Sequence, residues 1–294
     1  MATVKYPLYR QYEANRVRVN DALMALLVGS RLASHSLSLH GGSSVTLGDM
    51  YPAVDQINRM NQKACDVREL LDHSERHFTL MAIPYLVSVH VAHVKDVLEL
   101  LIERGVASLD QACTQRNGQL TDELATIDAD AIHRELIESA NFDLELSEDD
   151  LDLFSLARRM RNRILHANAT AGSHLRNAYL GLSAEARKRW ERPAGRELPI
   201  SGSSESLDLK AGELIATLAV THQIAKRINF SMQAGMPRPT WARLAVDDYR
   251  SMSRQRFGQP DVLKRLRGFS QTHYGPLRLT DDELCEAVQE VRGS

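Results

Sequence analysis

Apolar residues recur at three- and four-residue intervals along most of the chain, and no stretch alternates apolar with polar residues as a half-buried strand would. The pattern predicts an all-α protein. A first helix is expected over about Tyr9 to Val28, followed by SRLASHSLSLHGGSSVT, whose serine, histidine and glycine content reads as a mobile loop. Helices over about Asp49 to His73 and Glu75 to Arg104 come next, the second with Pro84 kinking its beginning and Gly105 as its cap. Another is expected over Thr121 to Ser139. The segment NFDLELSEDDLDLFSLARRMRNRILHANATAG carries explicit punctuation: Ser147 as N-cap, acids in the first turn, arginines later and Gly172 beyond the end. Ser183 caps a further helix that should stop at Pro193, and the Ser-rich connector RELPISGSSESLD precedes one over about Leu209 to Met232. Shorter helices are expected after Pro239, near Asp261 to Arg267, and from Thr280 with Asp281 and Asp282 in the first turn. No fixed-period repeat is present, so the economical architecture is a helical bundle over 49–233, with an N-terminal helix and mobile loop over 1–48 and a small helical C-terminal extension over 234–294.

Composition narrows the function classes. With 294 residues, 43% of them hydrophobic and 25% charged, the chain is ordinary globular material. A formal net charge of -2 gives no global pull toward nucleic acid or anionic membrane, so such binding has to be local. Cys65, Cys113 and Cys285 lie far apart, a spacing that suggests neither a zinc site nor a disulfide framework and suits a reducing cytosol. The opening MATVKYPLYRQYEANR lacks the apolar core of a signal peptide, and no later run approaches the roughly 20 apolar residues of a membrane span. The expectation is a soluble, cytoplasmic chain with no membrane partner.

One charge interrupts the apolar pattern. With about 100° per residue, Leu153, Ala157, Met160 and Ile164 share a helix face, widened by Leu156, Phe154 and Leu165. Arg161 falls inside that arc, where a guanidinium costs several kcal/mol unless an anion or acceptors meet it. Asn162 and His166 share the adjoining polar face with Arg159, so one short segment offers a permanent cation, an amide and a group titrating near neutrality. That set suits phosphate chemistry. Dipole complementarity between Glu148, Asp149, Asp150 and Asp152 at the helix start and Arg158, Arg159, Arg161 and Arg163 near its end accounts for the same arginines without any ligand, as does snorkelling along an apolar surface.

RNRILH resembles the R-x4-6-H motif, commonly written RNxxxH, of HEPN (higher eukaryotes and prokaryotes nucleotide-binding) domains. Arg161, Asn162 and His166 match its three marked positions, and MAIPYLVSVHVAHVKDVLELLIERG is similar to the core helix that precedes the motif in many members. The resemblance covers about residues 50–232. It implies a HEPN-like bundle and a metal-independent endoribonuclease that needs no cofactor, works on an RNA substrate as a homodimer with a composite active site, and belongs to bacterial defence, toxin or stress response. It implies that His166 acts as general acid or base, that Arg161 stabilises charge on the phosphorane, that Asn162 holds the motif or substrate, and that the product ends in a 2',3'-cyclic phosphate. It leaves room for an antitoxin or other regulator. Two departures stand out: Asn168 occupies the position of the tyrosine in the R-x4-H-x-Y form, and His90 and His93 stand where many members have a carboxylate. Some HEPN domains serve only as non-catalytic interaction or nucleotide-binding modules, which is the alternative reading.

Other constellations are bland by comparison. His90 and His93 put two imidazoles on adjacent turns with Asp96 as a third donor, yet no second helix repeats a Glu-x-x-His pattern, so they are expected as core or dimer-contact histidines and no metal is assigned. His35 and His40 fall in the Ser/Gly loop. Trp190 and Trp241 are expected as packing anchors. SMSRQRFGQPDVLKRLRGFSQTHYG holds Arg254, Arg256, Lys264, Arg265 and Arg267 against Asp261, with Phe257, Phe269 and Tyr274 interleaved, and reads as an RNA-contacting patch or as a solvated helix with packing aromatics. Together with Arg159 these basic residues are the candidate RNA contacts.

Overall fold

The computed structural model describes residues 2–39, 44–108, 131–166, 172–200, 207–253 and 261–293. Among them no strand forms and twelve α-helices follow one another: α1 (Pro7–Ser38), α2 (Leu47–Met50), α3 (Ala64–Asp72), α4 (Ser74–Glu103), α5 (Ile132–Ser139), α6 (Glu148–His166), α7 (Gly172–Leu180), α8 (Ala184–Ala194), α9 (Ala211–Gly235), α10 (Arg238–Met252), α11 (Val262–His273) and α12 (Asp281–Gly293). The all-α expectation holds.

Several boundaries move, each for a local reason. SRLASHSLS is helix, not loop, because α1 keeps a buried edge at Leu23, Leu27, Ser30 and Leu37. Its serine hydroxyls turn back onto the helix, Ser30 Oγ donating to the Leu27 carbonyl at 3.0 Å and Ser38 Oγ to that of His35 at 2.6 Å. His35 is therefore helical, and His40 lies outside the described residues. The helix expected over Asp49 to His73 is broken into α2 and α3. Tyr51 precedes Pro52 and leaves helical geometry, and Gln56 adopts φ 72°, so the chain doubles back. The return is held by Leu47 N–H on the Gln62 carbonyl and Gly48 N–H on that of Met60, both 3.0 Å. Gly48 lies so close that an added Cβ would sit 2.9 Å from the Asn58 carbonyl oxygen. The fold-back buries Leu37, Leu47 and Ala64 together.

α4 ends at Gly105 (φ 67°), where Val106 N–H reaches the Leu101 carbonyl at 2.8 Å. α4 is also the one described helix long and apolar enough to cross a membrane by length and composition, contrary to the expectation of none; Ile83, Leu86, Val87, Val94, Val97, Leu98 and Leu101 are buried within the protein. Of Thr121 to Ser139, only the part from Ile132 lies within a described helix. α7 was not anticipated: Gly172 opens it at φ 58°. Pro193 does not stop α8 but occupies its last turn, and Gly195 at φ 72° ends it. α11 continues past Arg267 to His273.

The chain forms two compact units: residues 1–15, 88–155 and 220–294, and residues 16–87 and 156–219. Helices α1, α4, α6 and α9 each contribute one stretch to each unit. The three-part division at 48 and 233 follows the connectors in the chain, and the units cut across it. In the first unit Trp241 and Tyr274 are fully buried, Arg10 grips the buried Asp248 with two bonds of 2.7 and 2.8 Å, and the Tyr274 hydroxyl donates to the same carboxylate at 2.9 Å. Asn229 clamps Val4 from both sides, accepting from its N–H at 3.1 Å and donating to its carbonyl at 2.8 Å. The last helices are thus core to this unit. The second unit buries Trp190, Leu175, Leu198, Leu207 and Leu209, and Arg196 pairs with the buried Glu213 through bonds of 2.8 and 3.0 Å.

The start of α6 is the best-anchored helix terminus. Ser147 Oγ accepts from Asp150 N–H at 3.3 Å, and the Asp150 carboxylate accepts from Ser147 N–H at 3.1 Å, a reciprocal capping box. The carboxylate has no exposure and also meets Arg227 Nη1 at 2.7 Å. Ser147→Ala should cost about 1 kcal/mol, whereas Asp150→Ala, which strands Arg227, should cost about 3 kcal/mol. Urea unfolding followed by circular dichroism measures both.

Candidate functional site

The register set by that cap decides which residues of α6 meet solvent. Leu153, Leu156, Ala157 and Met160 are fully buried. Past Met160 burial ends: Arg161, Asn162, Arg163 and Ile164 are half-buried, Leu165 is 49% exposed and His166 is exposed. The expected apolar arc through Ile164 and Leu165 is therefore cut short, because the helix has already left its packing surface. Arg161 is not a buried charge.

The three motif residues share the last turns of α6. Arg161 Nη1 donates to Asn162 Oδ1 at 2.9 Å, so the carboxamide orients the guanidinium. Among the described residues no carboxylate ion-pairs with Arg161, and His166 makes no hydrogen bond. Arg163 is differently employed, its guanidinium lying against Gly172, where an added Cβ would come within 2.8 Å of Cζ. Arg159 is half-buried on the same helix. The arrangement leaves a guanidinium oriented by an amide and an exposed imidazole on the same helix end, groups able to hold a phosphate and exchange a proton.

The second basic group, on α11 in the first unit, is less free than its sequence suggests. Lys264 and Arg265 are exposed, but Arg267 ion-pairs with Asp281 through Nε at 2.7 Å and through Nη2. Arg254, Arg256 and Phe257 lie outside the described residues. Phe269, half-buried, packs against Tyr249 and His273 at ring distances of 5.5 and 4.6 Å, and Tyr274 is buried in the core, so both aromatics are engaged in packing.

Among the described residues, the most perturbed imidazoles lie elsewhere, in the core of the first unit. His90 and His93 of α4 meet His133 of α5 and Tyr12 of α1. His90 Nε2 lies 3.0 Å from His133 Nε2, the two rings stacked at 5.1 Å, while His93 stacks on Tyr12 at 4.5 Å and Phe154 closes on His133 at 4.3 Å. Two facing ring nitrogens at that distance require one N–H and one bare nitrogen, so the accepting ring is neutral, and burial disfavours charge on the other. Burial depresses His93 and His133 to about 4, and burial followed by the neighbouring imidazoles of His133 and His93 holds His90 well below the ordinary range. His90 and His93 are thus core residues. His93 does not converge with Asp96 on a ligand, and no group of three His, Cys, Asp or Glu side chains among the described residues could hold a metal ion. Nothing local in IHRELIES marked His133; its role comes from the packing of α5 on α4.

No family model, curated protein or solved structure matches the chain.

The histidine cluster makes a stability prediction whose sign is set by neutral burial. The native imidazoles take up protons only near pH 4 or below, whereas unfolded ones do so near pH 6.5, so the unfolded state binds more protons in between. Stability of the first unit is complete above pH 6.5 and should fall as pH drops from there toward 4, by about 1.4 kcal/mol per pH unit for each histidine titrating. Urea midpoints at stepped pH should show this limb, and His133→Phe should flatten it whatever it does at pH 7.

Proposed function

We propose that the chain is a metal-independent endoribonuclease of the HEPN type, working in the cytoplasm as a homodimer whose two copies of α6 supply one cleft, in a bacterial defence, toxin or stress setting. The observation that carries the reading is the end of α6: Arg161 and Asn162 hydrogen-bonded to each other, with the exposed His166 one turn on from Asn162 and no carboxylate neutralising the guanidinium among the described residues. A structural arginine would be expected to carry an internal acceptor set. This one is held by an amide, which fixes its direction without spending its charge.

The chemistry follows from those groups. The ribose 2'-oxygen attacks phosphorus, its proton passing to a neutral imidazole; the bond to the 5'-oxygen breaks, and that oxygen takes a proton from an imidazolium. The products are a 2',3'-cyclic phosphate and a 5'-hydroxyl. His166 fills one of the two proton-transfer roles and His166 of the second copy the other. Arg161 meets the charge that grows on the non-bridging oxygens, and Asn162 keeps its guanidinium in plane with them. Arg159 and the exposed Lys264 and Arg265 are the described candidates for backbone contact. The alternative, a non-catalytic interaction or nucleotide-binding module, draws on one observation: among the described residues His166 has no orienting partner.

Cleavage of total cellular RNA and a tRNA pool in EDTA separates the two. The nuclease reading expects chelator-resistant cutting with cyclic phosphate ends, reduced about 10²- to 10⁴-fold by His166→Ala and comparably by Arg161→Ala. Intact RNA with folded, dimeric wild type would leave the binding module.

A further inference from the structure

We propose that the outer face of α1 with the residue that follows it, from Arg18 to Leu39, is a docking surface for a second copy of this chain, the two helices lying antiparallel about Val28 and crossing next to Gly29. The inner edge of this stretch, Leu23, Leu27, Ser30 and Leu37, is buried in its own unit, yet the opposite side is also apolar and is left open: Leu26 is 50% exposed, Val28 57%, Leu32 64% and Leu39 74%. Arg18, Ala22, Ala25, Gly29, Leu32, Ser36 and Leu39 follow one another at alternating four- and three-residue steps, all exposed apart from the half-buried Ser36. That is the seam spacing of a helix built to meet another helix. No charged residue occurs from Ala22 to Ser30, and Arg31 is drawn off the seam to Glu75 at 3.2 Å.

Gly29 points the same way. A mid-helix glycine costs about 1 kcal/mol relative to alanine, and here a Cβ would meet nothing within 4 Å, so the fold of the single chain gives no steric reason for it. A helix crossing at this point does, because two backbones approach closely only where side chains are absent.

Charge selects the occupant and its direction. Asp21, Val28 and His35 stand at seven-residue intervals on one flank of the seam. An antiparallel pair whose two-fold passes beside Val28, one residue from Gly29, sets Asp21 opposite His35 of the second copy, twice by symmetry, with Val28 against its own counterpart. A parallel pair would instead set Asp21 on Asp21 and Arg18 on Arg18. A membrane surface calls for several basic residues beside the apolar face; this flank offers an acid. The inference does not rest on the nuclease reading, whose dimer is made through α6: substitutions on α1 report this face alone.

Sedimentation equilibrium of the full chain tests it. Wild type is expected to self-associate, and Gly29→Glu and Leu32→Glu, both at exposed positions, to lose one step of association, from tetramer to dimer if α6 also pairs and from dimer to monomer if it does not, with unchanged helical circular dichroism. Asp21→Lys and His35→Glu should each weaken that step roughly tenfold, and the Asp21→Lys, His35→Glu double variant should recover most of that loss. A monomeric wild type, or an assembly indifferent to both glutamate variants, overturns the proposal. A monomer that floats with anionic phospholipid vesicles would overturn it by assigning the face to a membrane.

Discussion

A carboxylate taken wholly out of water has to have its acceptor sites filled, and that requirement at Asp150 governs the helix on which the candidate chemistry rests. Its bonds to Ser147 and to Arg227 fix where α6 begins and which way it is turned. From that start, Leu153, Leu156, Ala157 and Met160 go into the cores at three- and four-residue steps. The same rotation leaves Arg161, Asn162 and His166 on the turns that emerge beyond Met160. The acids at the helix start thus do more than complement its dipole: one of them sets the register of everything that follows.

The histidines divide by environment into two chemistries. His90, His93 and His133 are stacked among aromatic rings and held neutral by burial, where they act as polar-edged core residues joined by a ring-to-ring hydrogen bond. His166 is exposed at a helix end. Among the described residues, the imidazoles most shifted by burial therefore lie away from the RNxxxH segment. A strongly shifted group marks a functional site only when geometry also gives it access to a ligand, and the buried cluster has none.

The arginines divide in the same way. Arg10, Arg196 and Arg227 each hold a buried carboxylate, Arg163 covers Gly172, and Arg267 is occupied by Asp281. Arg161 is fastened to an amide, which directs a guanidinium and leaves its charge available. Phe269 and Tyr274 show the corresponding loss on the basic C-terminal stretch, where residues that alternate with arginines in sequence turn inward to pack.

Three- and four-residue periodicity and cap chemistry are local properties of the chain. The sequence by itself therefore determined the all-helical class, the capped starts of α6 and α8 at Ser147 and Ser183, the end of α4 at Gly105, and the burial of Trp190 and Trp241. It also determined the RNRILH spacing. What it did not determine depended on partners distant along the chain. The serine-rich end of α1 is helical because Leu37 finds Leu47 and Ala64, and the segment after α2 folds back through backbone bonds that no side-chain pattern announces. The last helices join the N-terminal segment because Asp248 is shared by Arg10 and Tyr274, residues 238 and 26 positions away. Exposure of Arg161 rested on where α6 leaves its packing surface, which an ideal wheel cannot express. Tertiary structure decided these points because burial is a property of what lies opposite a residue, and only the folded chain supplies the opposite side.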